Sequence, residues 1–195
     1  HGEPCIEMKD PLKKKRMIAT TRMFGKPVFE LADLKEAIAT YTTRAAEKLR
    51  RQSGAAGLIH VFVVTNDYTN NNYSYSPATK GLYTTLPIAT SLTNELIAHA
   101  IPLVEKLYKK GSRYLKAGVM LGNIVPDTSV QYNLFEPPAH NNLRSLMNAI
   151  DNVNFSMRDD VVKFAASGTK KNWKMRQEYR SLRHTTRWEE LYEVS

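Results

Sequence analysis

Gly57-Leu58-Ile59-His60-Val61-Phe62-Val63-Val64-Thr65-Asn66 is the stretch on which the fold turns. It is rich in β-branched and aromatic residues, which favour a pleated strand. It is apolar almost without interruption, as a central strand covered on both sides is. Upstream, Leu31, Leu34, Ile38, Tyr41, Ala45 and Leu49 recur three or four apart, so 31–51 is a helix with one apolar stripe. Asp33 and Glu36 suit its positive end, and Lys48, Arg50 and Arg51 its negative end. Gly54 and Gly57 stop it. Before it, Met17–Phe24 reads as a strand closed by Gly25 and Pro27.

Downstream, residues 67–78 are polar and rich in Asn, Tyr and Ser, which marks a long loop. Lys80–Ile88 is a strand, and 92–110 a helix through Leu92, Leu96, Ala100, Val104 and Leu107. Pro102 predicts a kink or early break in that helix. Residues 113–125 form a last strand stopped by Pro126. The order β-α-β-β-α-β predicts an α+β, ferredoxin-like domain: an antiparallel four-stranded sheet with both helices on one face. The other face is then free, and Thr20, Arg22, Lys80, Lys116 and the Tyr83 hydroxyl are candidates to project from it.

After Pro126 the texture changes. Asp127–Val130 is a loop, and Glu136-Pro137-Pro138 keeps the preceding Gln131-Tyr132-Asn133-Leu134-Phe135 extended. Leu143, Leu146, Met147, Ile150 and Val153 predict a short amphipathic helix over 141–153, and Val161–Phe164 reads as a short strand. The whole end is thus a small, mostly α extension. Its last part alternates cations with Trp173, Tyr179 and Trp188.

The 195 residues suit one domain with an extension, or two small domains. Cys5 is the only cysteine, so no disulfide framework or cysteine-rich zinc site can form, and a reducing cytoplasm is the natural setting. The five histidines stand apart in sequence and suggest no metal site. No apolar run approaches the ~20 residues that cross a bilayer, so no membrane is expected. A chain opening on His1 reads as cut from something longer. No phosphate-binding glycine loop or nucleophile elbow occurs, and Asp159-Asp160 and Glu189-Glu190 read as solvated turns. The expectation is therefore no catalytic residue and no cofactor in this chain.

The net charge is +9, from 28 Lys and Arg against 19 Asp and Glu. Cationic excess favours polyanions by counterion release. Two zones carry it: Lys13, Lys14, Lys15 and Arg16 with Arg22, Lys80 and Lys116; and 163–187, with eight cations against Glu178 alone. Lysines and hydroxyls bind phosphates without reading bases. Aromatics among cations suit single strands. An RNA-recognition domain is disfavoured, because its Lys/Arg-Gly-Phe/Tyr-Gly/Ala-Phe-Val-x-Phe/Tyr pattern is missing. Gln131, Leu134 and Phe135 have the form of a docking peptide: two apolar anchors for a cleft and an amide for its rim.

Glu47-Lys48-Leu49-Arg50, the Arg-Tyr-x-Lys-Ala-Gly run at 113–118, the Gln-x-Asn-Leu-Phe segment at 131–135 and His184-Thr185-Thr186-Arg187-Trp188 follow one another in that order. In this the chain resembles the C-terminal half of the UmuC/MucB/SamB-type Y-family DNA polymerases, over essentially its whole length. The resemblance implies that 1–14 is a linker from a thumb, whose end Gly2-Glu3-Pro4-Cys5 is similar to the family's. It implies that 15–126 is the little finger, lying on primer–template DNA, and that 127–138 is a linker carrying the sliding-clamp motif Gln131, Leu134 and Phe135. It makes 139–195 a UmuC-type C-terminal domain. Family members usually have Leu where Tyr132 stands. The UmuD′ dimer and RecA are implied partners, and the nucleoid the implied location. A palm holding magnesium on carboxylates would precede His1, and the parent would perform error-prone translesion synthesis in the SOS response. Two readings compete with this one. One is a stand-alone ferredoxin-like nucleic-acid or regulatory module with a basic tail. The other is a self-sufficient enzyme, which would need a carboxylate or nucleophile constellation.

Overall fold

The computed structural model describes residues 14–66, 78–131, 140–157, 160–175 and 179–191. The elements run β1 (Ile18–Val28), α1 (Leu31–Arg51), β2 (Gly54–Thr65), β3 (Ala78–Thr90), α2 (Thr93–Leu107), β4 (Tyr114–Pro126) and α3 (His140–Ser156). The first six are the expected β-α-β-β-α-β series. All three strand pairings are antiparallel, in the order β1-β4-β2-β3. β2 and β4 are therefore central, as the apolar run at 57–66 requires, and β1 and β3 are edges.

One row of side chains faces the helices. Ile59, Val61 and Val63 of β2 pair with Leu121, Val119 and Ala117 of β4, and all six are fully buried. Leu34, Ile38, Ala45 and Leu49 of α1 and Leu96, Ala100 and Val104 of α2 close over them. Sheet-facing stripes at helical spacing thus meet a period-two strand pattern, and burial of these apolar side chains is the main stabilising term.

Several boundaries differ from expectation. β1 does not end at Gly25 but continues through Pro27, with a register irregularity between Met23 and Val28. An edge strand tolerates a residue that cannot donate a ladder hydrogen bond. β2 begins at Gly54, earlier than expected, because Gly54, Ala55 and Ala56 pair with Pro126, Val125 and Ile124. The left-handed residue after α1 is then Ser53, with φ 54°, rather than a glycine. α2 does not break at Pro102 but runs on to Leu107. Val161–Phe164 is not a strand. The backbone of Val162 instead donates to Asn154 Oδ1 at 2.9 Å and accepts from Asn154 Nδ2 at 3.0 Å, so a side chain of α3 satisfies it.

The C-terminal segment lies back on α1. Trp173 is buried against Phe24 and Tyr41, with centroids at 6.2 and 5.6 Å and rings nearly perpendicular. Its Nε1 donates to Glu36 Oε1 at 3.3 Å, and its carbonyl accepts from the Gly25 N–H at 3.0 Å. The outer edge of β1 is thereby partly covered.

Candidate nucleic-acid interface

Alternation along the strands sends the second row of side chains away from both helices. In the centre of that face Phe62 lies opposite Gly118 on one neighbour and Gly81 on the other. His60 stacks on it, with centroids 5.9 Å apart and planes 22° apart. The glycines make room: a Cβ on Gly118 would stand 2.5 Å from Phe62 Cζ, and one on Gly81 2.5 Å from His60 Nε2. Met23, Lys116 and Val64 form the next row across β1, β4 and β2. Tyr83 pairs with His60 and is 69% exposed. This face is a shallow platform of rings and methionines with one lysine.

The expected phosphate-binding residues divide between the two sides. Lys116 and Tyr83 project from the free face. Lys14, Lys15 and Arg16 are exposed just ahead of β1, where Gln52 fixes the chain by donating to Lys15 O at 3.0 Å and accepting from Lys15 N at 3.1 Å. Thr20, Arg22 and Lys80 are not on the free face. They pair with Val119, Ala117 and Val63, members of the buried row, and so project to the helix side. One residue of parity separates the two outcomes. Lys13, Leu134 and Phe135 lie outside the described residues. Gln131 is exposed, just beyond a short 3-10 turn at Asp127–Ser129.

Arg22 meets the second basic zone instead. A cleft of about 440 Å³ opens between β1, α1 and the C-terminal segment, with Lys171 and Lys174 beside Arg22, Arg44, Lys48 and Arg51. Sequence reasoning missed this convergence. Lys48 and Arg51 carry only the signature of a helix C-terminus, and nothing local ties residue 22 to residue 174. Tyr41, on the cleft floor, is pushed up to about 12 by burial, against a smaller opposing pull from Arg22. Burial pulls the Lys171 ammonium below its usual value, and Asp160 opposes this. Asp160 accepts from Arg44 at 2.7 Å and faces Lys171 at 3.9 Å.

Magnesium would need clustered carboxylates. Among the described residues no three His, Cys, Asp or Glu side chains converge, and Asp160 is already taken by two cations, so these residues do not fit the ion. No helix among them is long and apolar enough to cross a membrane.

The model of the impB/mucB/samB family C-terminal domain matches residues 15–134. A domain of unknown function, DUF4113, matches residues 144–194. Protein UmuC of Salmonella typhimurium is 33% identical over 194 residues, covering 99% of this chain and 45% of that protein. Protein ImpB of the same organism is 32% identical over 192 residues, covering 98% and 44%. The chain thus spans less than half the length of these relatives. A solved insertion ternary complex of Dbh DNA polymerase overlaps 56% of this chain and 28% of its own at 14% identity, with a TM-score of 0.42.

Proposed function

Because the chain belongs to the impB/mucB/samB family, through a C-terminal domain model that matches residues 15–134, we propose that it is the DNA-gripping and clamp-tethering part of an error-prone translesion DNA polymerase. The observation that carries this reading is the sheet face that neither helix covers. Lys116 and the exposed Tyr83 hydroxyl stand on it among uncharged side chains, and exposed Lys14, Lys15 and Arg16 lead into its edge strand. Cations and hydroxyls of this kind hold phosphates in register and carry no base code. The grip is therefore expected to be independent of sequence.

The tether is Gln131, Leu134 and Phe135. In sequence it follows the last strand, and two apolar anchors with one amide suit a cleft on a bacterial sliding clamp. In this reading 15–126 is the little finger, 127–138 the tethering linker and 139–195 the C-terminal domain. The UmuD′ dimer and RecA are the proposed protein partners, in the SOS response, at the nucleoid of the cytoplasm. Phosphoryl transfer is not assigned to any residue of this chain. Binding of the intact chain to a primer–template duplex tests the grip: affinity should fall steeply as salt rises, since each neutralised phosphate releases counterions.

A further inference from the structure

The cleft on the helix side is unlike an ordinary charged surface. Six cations line it, Arg22, Arg44, Lys48, Arg51, Lys171 and Lys174, against only Glu47 and Asp160. Both carboxylates are already engaged: Glu47 with Arg44 at 3.2 Å and Arg51 at 2.6 Å, and Asp160 with Arg44 and Lys171. Arg22, Lys48 and Lys174 have no carboxylate partner among the described residues.

The floor is polar as well. Thr20 and Tyr41 are among its lining residues, only 9% and 2% exposed, and their buried hydroxyls make no hydrogen bond among the described residues. Buried hydroxyls are normally satisfied, and an unpaired one destabilises the fold. Val and Phe would fill the same space without that penalty. A tetrahedral oxyanion supplies what both hydroxyls lack, acceptor oxygens, and what the rim cations lack, negative charge.

We infer that this cleft is a phosphate-binding site, separate from the open sheet face and on the other side of the sheet. It needs no base readout, since its groups are cations and hydroxyls. Its volume suits one or two phosphoryl groups with their sugar. A second cavity of about 360 Å³, lined by Lys15, Met17, Ile18, Ala19, Lys48, Arg51 and Gln52, shares Lys48 and Arg51 with the first. The cationic track therefore extends along α1 beyond one phosphate. Such a track suits the backbone of a single nucleic-acid strand. A free polyphosphate presents the same chemistry.

The inference does not rest on the open-face grip, and one set of variants separates the two. Trp173 touches Tyr41 on the cleft floor, and Trp188 is the only other tryptophan. In the whole chain carrying Trp188→Phe, Trp173 fluorescence is titrated with inorganic triphosphate and, in parallel, with a short oligothymidylate. A saturable change with the oligonucleotide alone assigns the site to a strand backbone; a change with both assigns it to any phosphoryl group. Arg22→Gln with Lys174→Gln, both at exposed positions, should weaken that titration about tenfold or more, as loss of charged hydrogen bonds does. Tyr41→Phe and Thr20→Val should weaken it several-fold while leaving Tm unchanged or raised. Lys116→Gln should leave it unaltered while weakening duplex binding. No saturable change with either probe, or titrations indifferent to the Arg22, Lys174, Tyr41 and Thr20 substitutions, would overturn the assignment.

Discussion

Arg50 of α1 and Asp151 of α3 are joined by two parallel hydrogen bonds, Nε to Oδ2 and Nη2 to Oδ1, each 2.7 Å. The Arg50 side chain is only 6% exposed, and its Nη1 also donates to the Ser91 carbonyl at 2.7 Å and the Thr93 hydroxyl at 2.9 Å. One guanidinium thus ties the C-terminal helix to the start of α2. Breaking a buried pair on one side leaves an uncompensated charge. Asp151→Ala should lower unfolding free energy by about 3 kcal/mol, read as a fall in the urea midpoint, and should expose 140–157 to limited proteolysis. Unchanged protease resistance would mean that other contacts hold α3.

Gly168 has φ 58°, and a Cβ there would stand 2.3 Å from Glu36 Cδ. Glu36 is the acceptor for the Trp173 indole. Gly168→Ala should therefore cost about 1–3 kcal/mol and loosen Trp173. The expected readout, in a Trp188→Phe background, is a red shift of the remaining fluorescence.

Tyr41 is predicted to make stability fall in alkali. Its hydroxyl is held up to about 12 in the folded chain, chiefly by burial, against 10 when unfolded. Between these values the folded state binds the extra proton, so its stability is complete below pH 10 and is lost as pH rises towards 12. The loss should approach about 2 kcal/mol, and Tyr41→Phe should remove that part of the pH dependence in denaturation curves.

The proposed clamp motif has a test of its own. Calorimetric titration of the chain into a bacterial sliding clamp should give a dissociation constant of about a micromolar or weaker, since so few residues make the contact. Leu134→Ala with Phe135→Ala should abolish the heat. Heat that survives both changes would remove the tether from the account.

The order of elements was legible because each has a period of its own: 3.6 along Leu34–Leu49, and continuous apolarity along Gly57–Val64. The strand order was not, since placing β4 between β1 and β2 is a long-range pairing with no local mark. Gly54, Ala55 and Ala56 have little strand propensity, and pairing with Pro126, Val125 and Ile124 on one side and of Ala56 with Thr90 on the other makes them a strand. The facing of β1 was misread for a related reason. Met17-Ile18-Ala19 shows no clean alternation, so nothing fixed whether Thr20 and Arg22 or Thr21 and Met23 face the helix side. The residues of the cleft come from β1, α1 and a segment more than a hundred positions later, and the burial of Trp173 and the Arg44–Asp160 pair bring them together.

In the proposed function the open sheet face grips duplex DNA by its phosphates. Fluorescence anisotropy of a labelled primer–template duplex, titrated with the whole chain over a range of salt, tests it most directly. The account predicts a log-linear loss of affinity with salt, the same for unrelated sequences. It also predicts a slope shallower by about one for each phosphate contact removed in Lys14→Gln, Arg16→Gln and Lys116→Gln. Affinity that ignores salt, or a slope that the three substitutions leave unchanged, would contradict it.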